Sequence, residues 1–453
     1  PFNSRDPSAV PGCEMKIFTL LPPLALFFLS SAEAAEGDIR FRLQKRHPET
    51  RGVLENYYTG DGFDMFGRLR FSSGSWSFVM LTDKARGEDW GDIAAAGCAW
   101  QPDSSRIQTV SAGFLKAELG SGCVLAVPGS FSGASEISMY KPPIIRNRVE
   151  PATSAGGCRG TPLTGAGGIF RLGGTRISAV ATISPFDSLS SGLHRTPSEV
   201  EGRGDFLEKL GAVRLESGIF GLTAAAGMTD RGEDHGWFRT GTDFRLPGKV
   251  MSLTGEAVLG IDSAGTETAG WISLWQEFSV YRHMLTLLRN PEDFPEERSS
   301  FPLSRDCDVG LCYGFRWKIV PGMALKSGTG AYFSGEDLLI TSSELQYRFP
   351  WSMKVHAGFR VRLEETEDSW RSWLSGNWQP TDGLLIRTKV QLTGWNGQLP
   401  DSSETGAGLE VKLRYSPFRR VQLDMGGAGC STDGYSSRVY CQGPGSIPHP
   451  GVG

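Results

Sequence analysis

Long hydrophobic runs are what this sequence most lacks. The chain has 453 residues and is only 39% hydrophobic. After Ala35 no apolar run reaches the roughly 18 residues that a membrane-spanning helix requires. A strong excess of charge is also missing, because the formal net charge is −4, and nucleic-acid-binding domains usually carry a clear basic footprint. We therefore expect no transmembrane helix in the mature chain and no nucleic-acid partner.

Metal-binding and redox motifs are missing as well. The six histidines form no H-x-x-x-H pair, and the eight cysteines form no C-x-x-C pair, so the usual zinc and thiol-redox spacings are absent. We expect no metal and no cofactor. Cys307 and Cys312 are close enough in sequence to pair in an oxidising compartment. They fit equally well as separate thiols in the wall of a barrel, and the spacing leaves both alternatives open.

Glycine and aromatic residues are abundant. The chain has 59 glycines, and aromatic residues make up 10% of it. Glycine is a poor helix former, so a helix-rich enzyme is excluded. The aromatic content argues against a disordered chain.

The N-terminal region has the pattern of an export signal. Met15 and Lys16 precede an apolar stretch, Ile17 to Leu29, and then small residues up to Ala35. A positive start, a short apolar segment and a small-residue cleavage site define a secretory signal peptide. We expect residues 1–14 to be a non-native or upstream leader, residues 15–34 the signal peptide, and residues 35–453 one domain.

Alternation with a period of two dominates the rest of the chain. In the segment from Met353 to Glu364, apolar residues such as Val355 and Phe359 alternate with polar ones such as Arg360 and Arg362. Successive side chains of a strand point to opposite faces, so this pattern predicts a strand with one apolar and one polar face. Residues 384–392 and 406–415 repeat it.

Short turns alternate with long polar connections along the chain. The predicted turns lie at residues 72–75, 120–122, 172–175, 216–218, 246–249, 280–283, 320–323, 349–352, 379–383 and 416–419. The predicted long connections are residues 86–106, 128–164, 185–206, 290–306 and 364–370. Strands of about ten residues, short turns at one end and long loops at the other are typical of bacterial outer-membrane barrels. A secreted soluble sandwich or propeller is the alternative all-β architecture.

These patterns predict an all-β fold, a large antiparallel transmembrane β-barrel of about 20–24 strands. The alternation dissolves after Gly427, and the chain ends at Gly453 without a strand carrying a terminal aromatic residue. We therefore expect the barrel to be incomplete at its C-terminus, with closing strands missing.

Four segments carry a resemblance to a known family. They are residues 113–127 (GFLKAELGSGCVLAV), 135–148 (SEISMYKPPIIRNR), 192–199 (GLHRTPSE) and 432–440 (TDGYSSRVY). They resemble a family of outer-membrane barrels from Bacteroidota-like bacteria, whose members are often accompanied by a helix-hairpin-helix segment of the competence-protein type. That segment is not visible in this sequence. The resemblance implies an outer-membrane location and further strands after Tyr440.

One long connection is the candidate constriction of the barrel lumen. Residues 128–164 contain four basic residues, Lys141, Arg146, Arg148 and Arg159. A loop that folds into a barrel narrows it, and basic groups there favour anionic solutes. An outward surface loop is the alternative interpretation of the same segment.

The predicted function is a channel or transporter for polar solutes in the bacterial outer membrane, without enzymatic activity. The expected partners are outer-membrane lipid, the barrel-assembly machinery and a periplasmic or surface protein. The alternative is a structural or docking barrel of an export, adhesion or surface-assembly system. A membrane-embedded hydrolase has the least support. His194 and the loop cluster of Asp230, Glu233, Asp234 and His235 are its only candidates, and that cluster also fits a calcium-attracting or a plain solvated loop.

Overall fold

The structure is a computed structural model of the chain. It describes residues 36–45, 51–89, 93–104, 106–126, 144–153, 163–186, 194–202, 204–230, 235–291, 294, 307–334, 337–397, 403–418 and 421–433. The leader and signal peptide expected in residues 1–34 lie outside the described residues, as does the segment after residue 433.

The described chain is almost entirely β-structure, with 22 strands and two short helices. The helices are α1 (Arg51–Leu54) and α2 (Pro197–Glu201). The strands are β1 (Glu36–Lys45), β2 (Phe63–Ser73), β3 (Trp76–Lys84), β4 (Ile93–Trp100), β5 (Ile107–Gly120), β6 (Arg146–Pro151), β7 (Thr164–Leu172), β8 (Thr175–Phe186), β9 (Phe206–Ser217), β10 (Phe220–Thr229), β11 (His235–Leu246), β12 (Met251–Ile261), β13 (Thr266–Glu277), β14 (Tyr281–Asn290), β15 (Cys307–Val320), β16 (Met323–Phe333), β17 (Leu338–Arg348), β18 (Met353–Glu364), β19 (Glu367–Thr381), β20 (Leu384–Gly397), β21 (Ser403–Phe418) and β22 (Val421–Thr432).

All 22 strands belong to one antiparallel sheet in which each strand pairs with its sequence neighbours. The exception is at β5, which pairs with β4 and β7 through its first part and with β6 through its last part. The predicted all-β barrel of 20–24 strands is confirmed by this sheet. The segment 353–364, predicted from its alternation, is β18 itself.

The two ends of the barrel differ, as the turn pattern predicts. At one end β7–β8, β9–β10, β15–β16 and β19–β20 are joined by two residues each. Gly173, Gly218 and Gly322 have positive φ in three of these turns, where residues with a Cβ are strained. At the other end β8 and β9 are separated by residues 187–205. We call the two ends the short-turn end and the long-loop end.

Two of the predicted long connections are wrong. Residues 86–106 contain β4, whose small residues Ala94, Ala95, Ala96 and Gly97 carry little strand propensity and hide its pattern. The connection predicted at residues 364–370 is only two residues long, between β18 and β19, because the other polar residues of that segment belong to the ends of the two strands.

The two faces of the sheet show a burial pattern that is reversed relative to a soluble protein. Large apolar side chains on one face are exposed, among them Phe220 at 60% and Leu409 at 52%. Charged side chains on the other face are buried, with Arg214 and Arg239 both at 0%. Other exposed apolar residues of the first face are Val213, Leu215, Leu222, Leu285, Leu287, Leu311, Phe359, Val390, Leu392 and Val411. The first face is therefore the outer face of the barrel, and the second is its inner face.

None of the helices in the described residues is both long and apolar enough to cross a membrane. The disulfide considered between Cys307 and Cys312 does not form. Cys312 is a buried thiol whose Sγ lies 3.3 Å from the Tyr332 hydroxyl and hydrogen-bonds to it. The alternative of separate wall thiols is therefore the one that the structure supports.

Candidate functional site

A hairpin inside the barrel is the main feature of the candidate site. We call residues 115–126 and 144–151 the lumen hairpin; they comprise the end of β5, the turn that follows it, and β6. Leu115 pairs with Pro151 and Gly120 with Arg146. The side chains of Leu119, Val124 and Leu125 are fully buried. The turn predicted at residues 120–122 therefore lies inside the barrel at the end of the β5–β6 pairing, which we call the tip of the lumen hairpin, and the next wall strand after β5 is β7. Residues 127–143, between this turn and β6, lie outside the described residues.

Glu256 of β12 holds the tip of the lumen hairpin against the inner face. Its Oε2 accepts a hydrogen bond from the backbone N–H of Ser121 at 2.9 Å, and the Ser121 hydroxyl also donates to it. Trp271 Nε1 of β13 donates to that hydroxyl at 3.0 Å. Hydrogen bonds to a carboxylate are among the strong ones. Three residues from separate parts of the chain therefore fix one position of the tip.

Further contacts fix the other strand of the lumen hairpin. Arg245 of β11 donates through Nη2 to the carbonyl of Ile145 at 2.8 Å. Asn147 Nδ2 donates to Glu216 of β9 at 3.5 Å, and the Ser178 hydroxyl of β8 donates to the Asn147 side-chain oxygen. The docking surface of the hairpin therefore extends over β8–β13.

Glycines in the wall make room for the lumen hairpin. A Cβ at Gly241 of β11 would lie 2.7 Å from Val124 Cγ2, and one at Gly167 of β7 would lie 2.8 Å from Val149 Cγ1. Real Cβ atoms do not approach other carbons this closely. With the facing valine kept, a side chain at either position would therefore collide with the hairpin.

Two of the four basic residues predicted to line the constriction lie on this hairpin. Arg146 and Arg148 lie on β6, with the Arg146 guanidinium 3.0 Å and the Arg148 guanidinium 3.9 Å from the carboxylate of Glu118. Arg148 also lies 3.4 Å from Glu150. The carboxylates of Glu118 and Glu150 offset the charge that the sequence suggested. Lys141 and Arg159 lie outside the described residues.

The wall behind the hairpin carries a buried ion pair. Arg214 of β9 donates to both carboxylate oxygens of Asp243 on β11, one of them at 3.0 Å, and to the Thr223 hydroxyl of β10 at 2.8 Å. Burying a charge is costly unless it is paired and hydrogen-bonded. This pair allows a fully buried guanidinium in the inner wall.

A different part of the inner wall, on β18 and β19, is basic. Arg360 of β18 lies directly opposite Arg371 of β19, and Arg362 lies opposite Ser369. All three arginines share the inner face with residues such as Thr393, which pairs with Arg371. We call Arg360, Arg362 and Arg371 the arginine patch. Their side chains have intermediate exposure.

Loops cover the long-loop end near β2, β3 and α2. The buried Glu88 carboxylate accepts from the backbone N–H groups of Ala85 at 2.6 Å and His194 at 3.1 Å. Thr59 N–H donates to the Arg195 carbonyl at 2.6 Å, and the Arg195 guanidinium lies 5.1 Å from the Tyr58 ring centre. His194 is thus part of a packed loop contact.

The residues considered for hydrolysis are only partly described. Asp230 accepts a hydrogen bond from the Leu207 backbone N–H at 2.5 Å, and His235 begins β11. Glu233 and Asp234 lie outside the described residues. Among the residues that the structure describes, no group of three or more His, Cys, Asp or Glu side chains could hold a metal ion.

No protein-family model and no curated protein matches the chain. Among solved structures, Pseudomonas aeruginosa OpdQ is 10% identical, with 81% of this chain and 97% of that chain covered and a TM-score of 0.39. Acinetobacter baumannii OccAB3 is 9% identical, with 91% and 96% covered and a TM-score of 0.35. A bacterial polysaccharide outer membrane secretin is 12% identical, with 56% and 88% covered and a TM-score of 0.31.

All three TM-scores lie below 0.5, so these structures assign neither a family nor a function to this chain. Its class follows from its own strands and side chains. It is a large antiparallel β-barrel with an apolar outer face, a polar inner face and a hairpin folded into the lumen.

Sequence reasoning missed two features of this site. The first is the docking of the hairpin tip on Glu256, which joins residues 135 positions apart and leaves no local signal. The second is the arginine patch. Alternation places Arg360 and Arg362 on the polar face of one predicted strand, but only the strand register brings Arg371 opposite Arg360.

Proposed function

We propose that this protein is a channel of the bacterial outer membrane that conducts polar solutes and acts without enzymatic chemistry. The observation that carries the proposal is the reversed burial pattern, with exposed Leu, Val and Phe side chains outside and buried Arg, Asp and Glu side chains inside. An apolar outer face is what lipid requires of a transmembrane barrel, and a polar interior is what a water-filled pathway requires. Export, insertion by the barrel-assembly machinery and contact with outer-membrane lipid belong to the same proposal.

The position of the lumen hairpin favours a narrow, selective pathway over a wide pore. It is attached to β8–β13 by the contacts of Glu256, Arg245 and Asn147, so it narrows the lumen on that side. The arginine patch lies on β18 and β19, which are not among the strands that these contacts involve. In this proposal solute passes between the docked hairpin and the opposite part of the wall.

The direct test is conductance. Purified protein inserted into planar lipid bilayers should produce discrete current steps in potassium chloride, and liposomes containing it should swell in arabinose. Insertion is verified by the resistance of the folded barrel to protease. Inserted protein that gives neither current nor swelling would contradict the proposal. Recovery of a stoichiometric periplasmic or surface partner from such protein would then favour the docking alternative.

A further inference from the structure

A row of basic residues crosses five neighbouring strands near the short-turn end. Arg348 of β17 lies directly opposite Lys354 of β18, and Arg387 of β20 lies opposite Lys412 of β21. Asn377 of β19 pairs with both Lys354 and Arg387 and completes the row. We call Arg348, Lys354, Arg387 and Lys412 the basic row. Since neighbouring strands lie about 4.8 Å apart, the row extends over about 19 Å of the barrel wall.

The basic row belongs to the inner face of the barrel. Side chains alternate between the two faces along a strand. Arg348 is an even number of residues from the buried Ser342, and Arg387 is an even number from the buried Gln391. Lys354 is an odd number of residues from Phe359, which is exposed on the outer face. The charges of the row therefore face the lumen.

Three of the four cations of the basic row are not neutralised by the residues that the structure describes. The side chains of Arg348, Lys354 and Arg387 are exposed, and no described residue hydrogen-bonds or ion-pairs with them. Lys412 differs, because its Nζ lies 2.5 Å from the Glu410 carboxylate. Arg348 and Lys354 also oppose each other directly, and like charges in opposite positions destabilise a strand pair.

The neighbouring acidic residues leave this charge in place. Glu344, on the same face of β17 as Arg348, is engaged by Lys326, whose Nζ lies 3.2 Å from its carboxylate. Asp382, in the turn between β19 and β20, forms no ion pair with the described part of the chain. A dissolved anion would relieve the repulsion within the row, and one with several charged groups could contact more than one cation at a time.

We propose that the basic row binds small, multiply charged oxyanions, carrying carboxylate or phosphate groups, at the short-turn mouth of the lumen. This inference rests on the proposed channel function and names its substrate class. Arginine and lysine both donate charge-assisted hydrogen bonds to such groups. Basic groups that line a pore also raise the local concentration of anions and lower that of cations.

The first test is ion selectivity in Lys354→Gln/Arg387→Gln. The matched control is Lys209→Gln/Arg289→Gln, which removes one lysine and one arginine that are exposed on the outer face of β9 and β14. Reversal potentials are measured in bilayers under a potassium chloride gradient, and the native protein and the control should prefer chloride. The basic-row variant should lose about threefold or more in the ratio of chloride to potassium permeability, as expected of two unit charges about 8 Å from the ions at an ionic strength of about 0.1 M.

The second test identifies the ligand chemistry. Citrate and tripolyphosphate are titrated into detergent-solubilised protein by calorimetry, and acetate serves as the singly charged probe. Binding that is lost in Lys354→Gln/Arg387→Gln and kept in the control supports the basic row. Citrate binding alone assigns a carboxylate site, tripolyphosphate binding alone assigns a phosphate site, and binding of acetate as tight as that of citrate contradicts a site for multiply charged solutes.

The two proposals fail in different ways. A conducting native protein without anion preference, or one whose preference and anion binding survive in the basic-row variant, overturns the basic row and leaves the channel intact. A protein that binds citrate or tripolyphosphate through the row but never conducts overturns the channel. A protein that neither conducts nor binds overturns both.

Discussion

Removing the Glu256 carboxylate should loosen the lumen hairpin. In Glu256→Ala the backbone N–H of Ser121 loses an acceptor at 2.9 Å, and the Ser121 hydroxyl loses the same acceptor. A hydrogen bond to a charged group contributes about 1.5–3 kcal/mol. At the lower value, two such bonds amount to about 3 kcal/mol. Since each 1.4 kcal/mol is a factor of about ten, the undocked fraction should rise roughly 100-fold.

Single-channel recording reads this change directly. Glu256→Ala should show frequent excursions to a larger conductance, while the native channel should show them rarely, because the contacts of Arg245 and Asn147 alone hold the hairpin less firmly. Glu256→Gln keeps a side-chain oxygen that can accept from Ser121, so it serves as the matched control and should show a smaller effect. Glu256→Ala channels that fold normally and give traces indistinguishable from native ones would refute the docking role of Glu256.

Two further predictions concern the wall and the thiols. Gly358→Val should destabilise the barrel by about 1–3 kcal/mol, because a Cβ there would lie 2.1 Å from the Trp373 ring; a urea midpoint equal to the native one would contradict this. Cys430 is exposed and should react with a maleimide at pH 8 in the folded protein. Cys123 should not, since burial and the nearby Glu256 carboxylate raise the pKa of its thiol and the thiolate is the reactive form. Labelling of Cys123 as fast as Cys430 would place it in contact with solvent.

The wall strands were predictable because each carries its own signal. Alternation with a period of two is a local property, and it delimited β18 and located β20 and β21. β4 was missed because its alanines and glycine contrast too little in polarity to reveal the two faces.

The lumen hairpin was not predicted, although β5 carries a local sign of it. The alternation of β5 changes phase in the middle of the strand: the apolar residues are first Val110, Ala112 and Phe114, and then, on the opposite face, Leu115, Ala117 and Leu119. This change coincides with the point where the pairing passes from β7 to β6. The position of the second part inside the barrel depends on long-range contacts, such as Ser121 with Glu256 and Val124 against Gly241. The constriction at residues 128–164 stays a prediction. Within that segment the charge of Arg146 is offset by Glu118, and this pairing depends on the register of β5 and β6.

The most direct test of a lumen narrowed by an internal hairpin is a reversible cross-link between the hairpin and the wall. Val124→Cys/Gly241→Cys in a Cys123→Ser background joins positions whose side chains would be in contact. We predict that this disulfide forms on oxidation in the folded barrel. The oxidised channel should keep the native conductance and show no excursions to a larger conductance. Reduction of the disulfide should allow the rare excursions of the native channel again. Cysteines that stay unlinked under oxidation, or a cross-linked channel with the larger conductance, would contradict a hairpin that lies inside the barrel and narrows it.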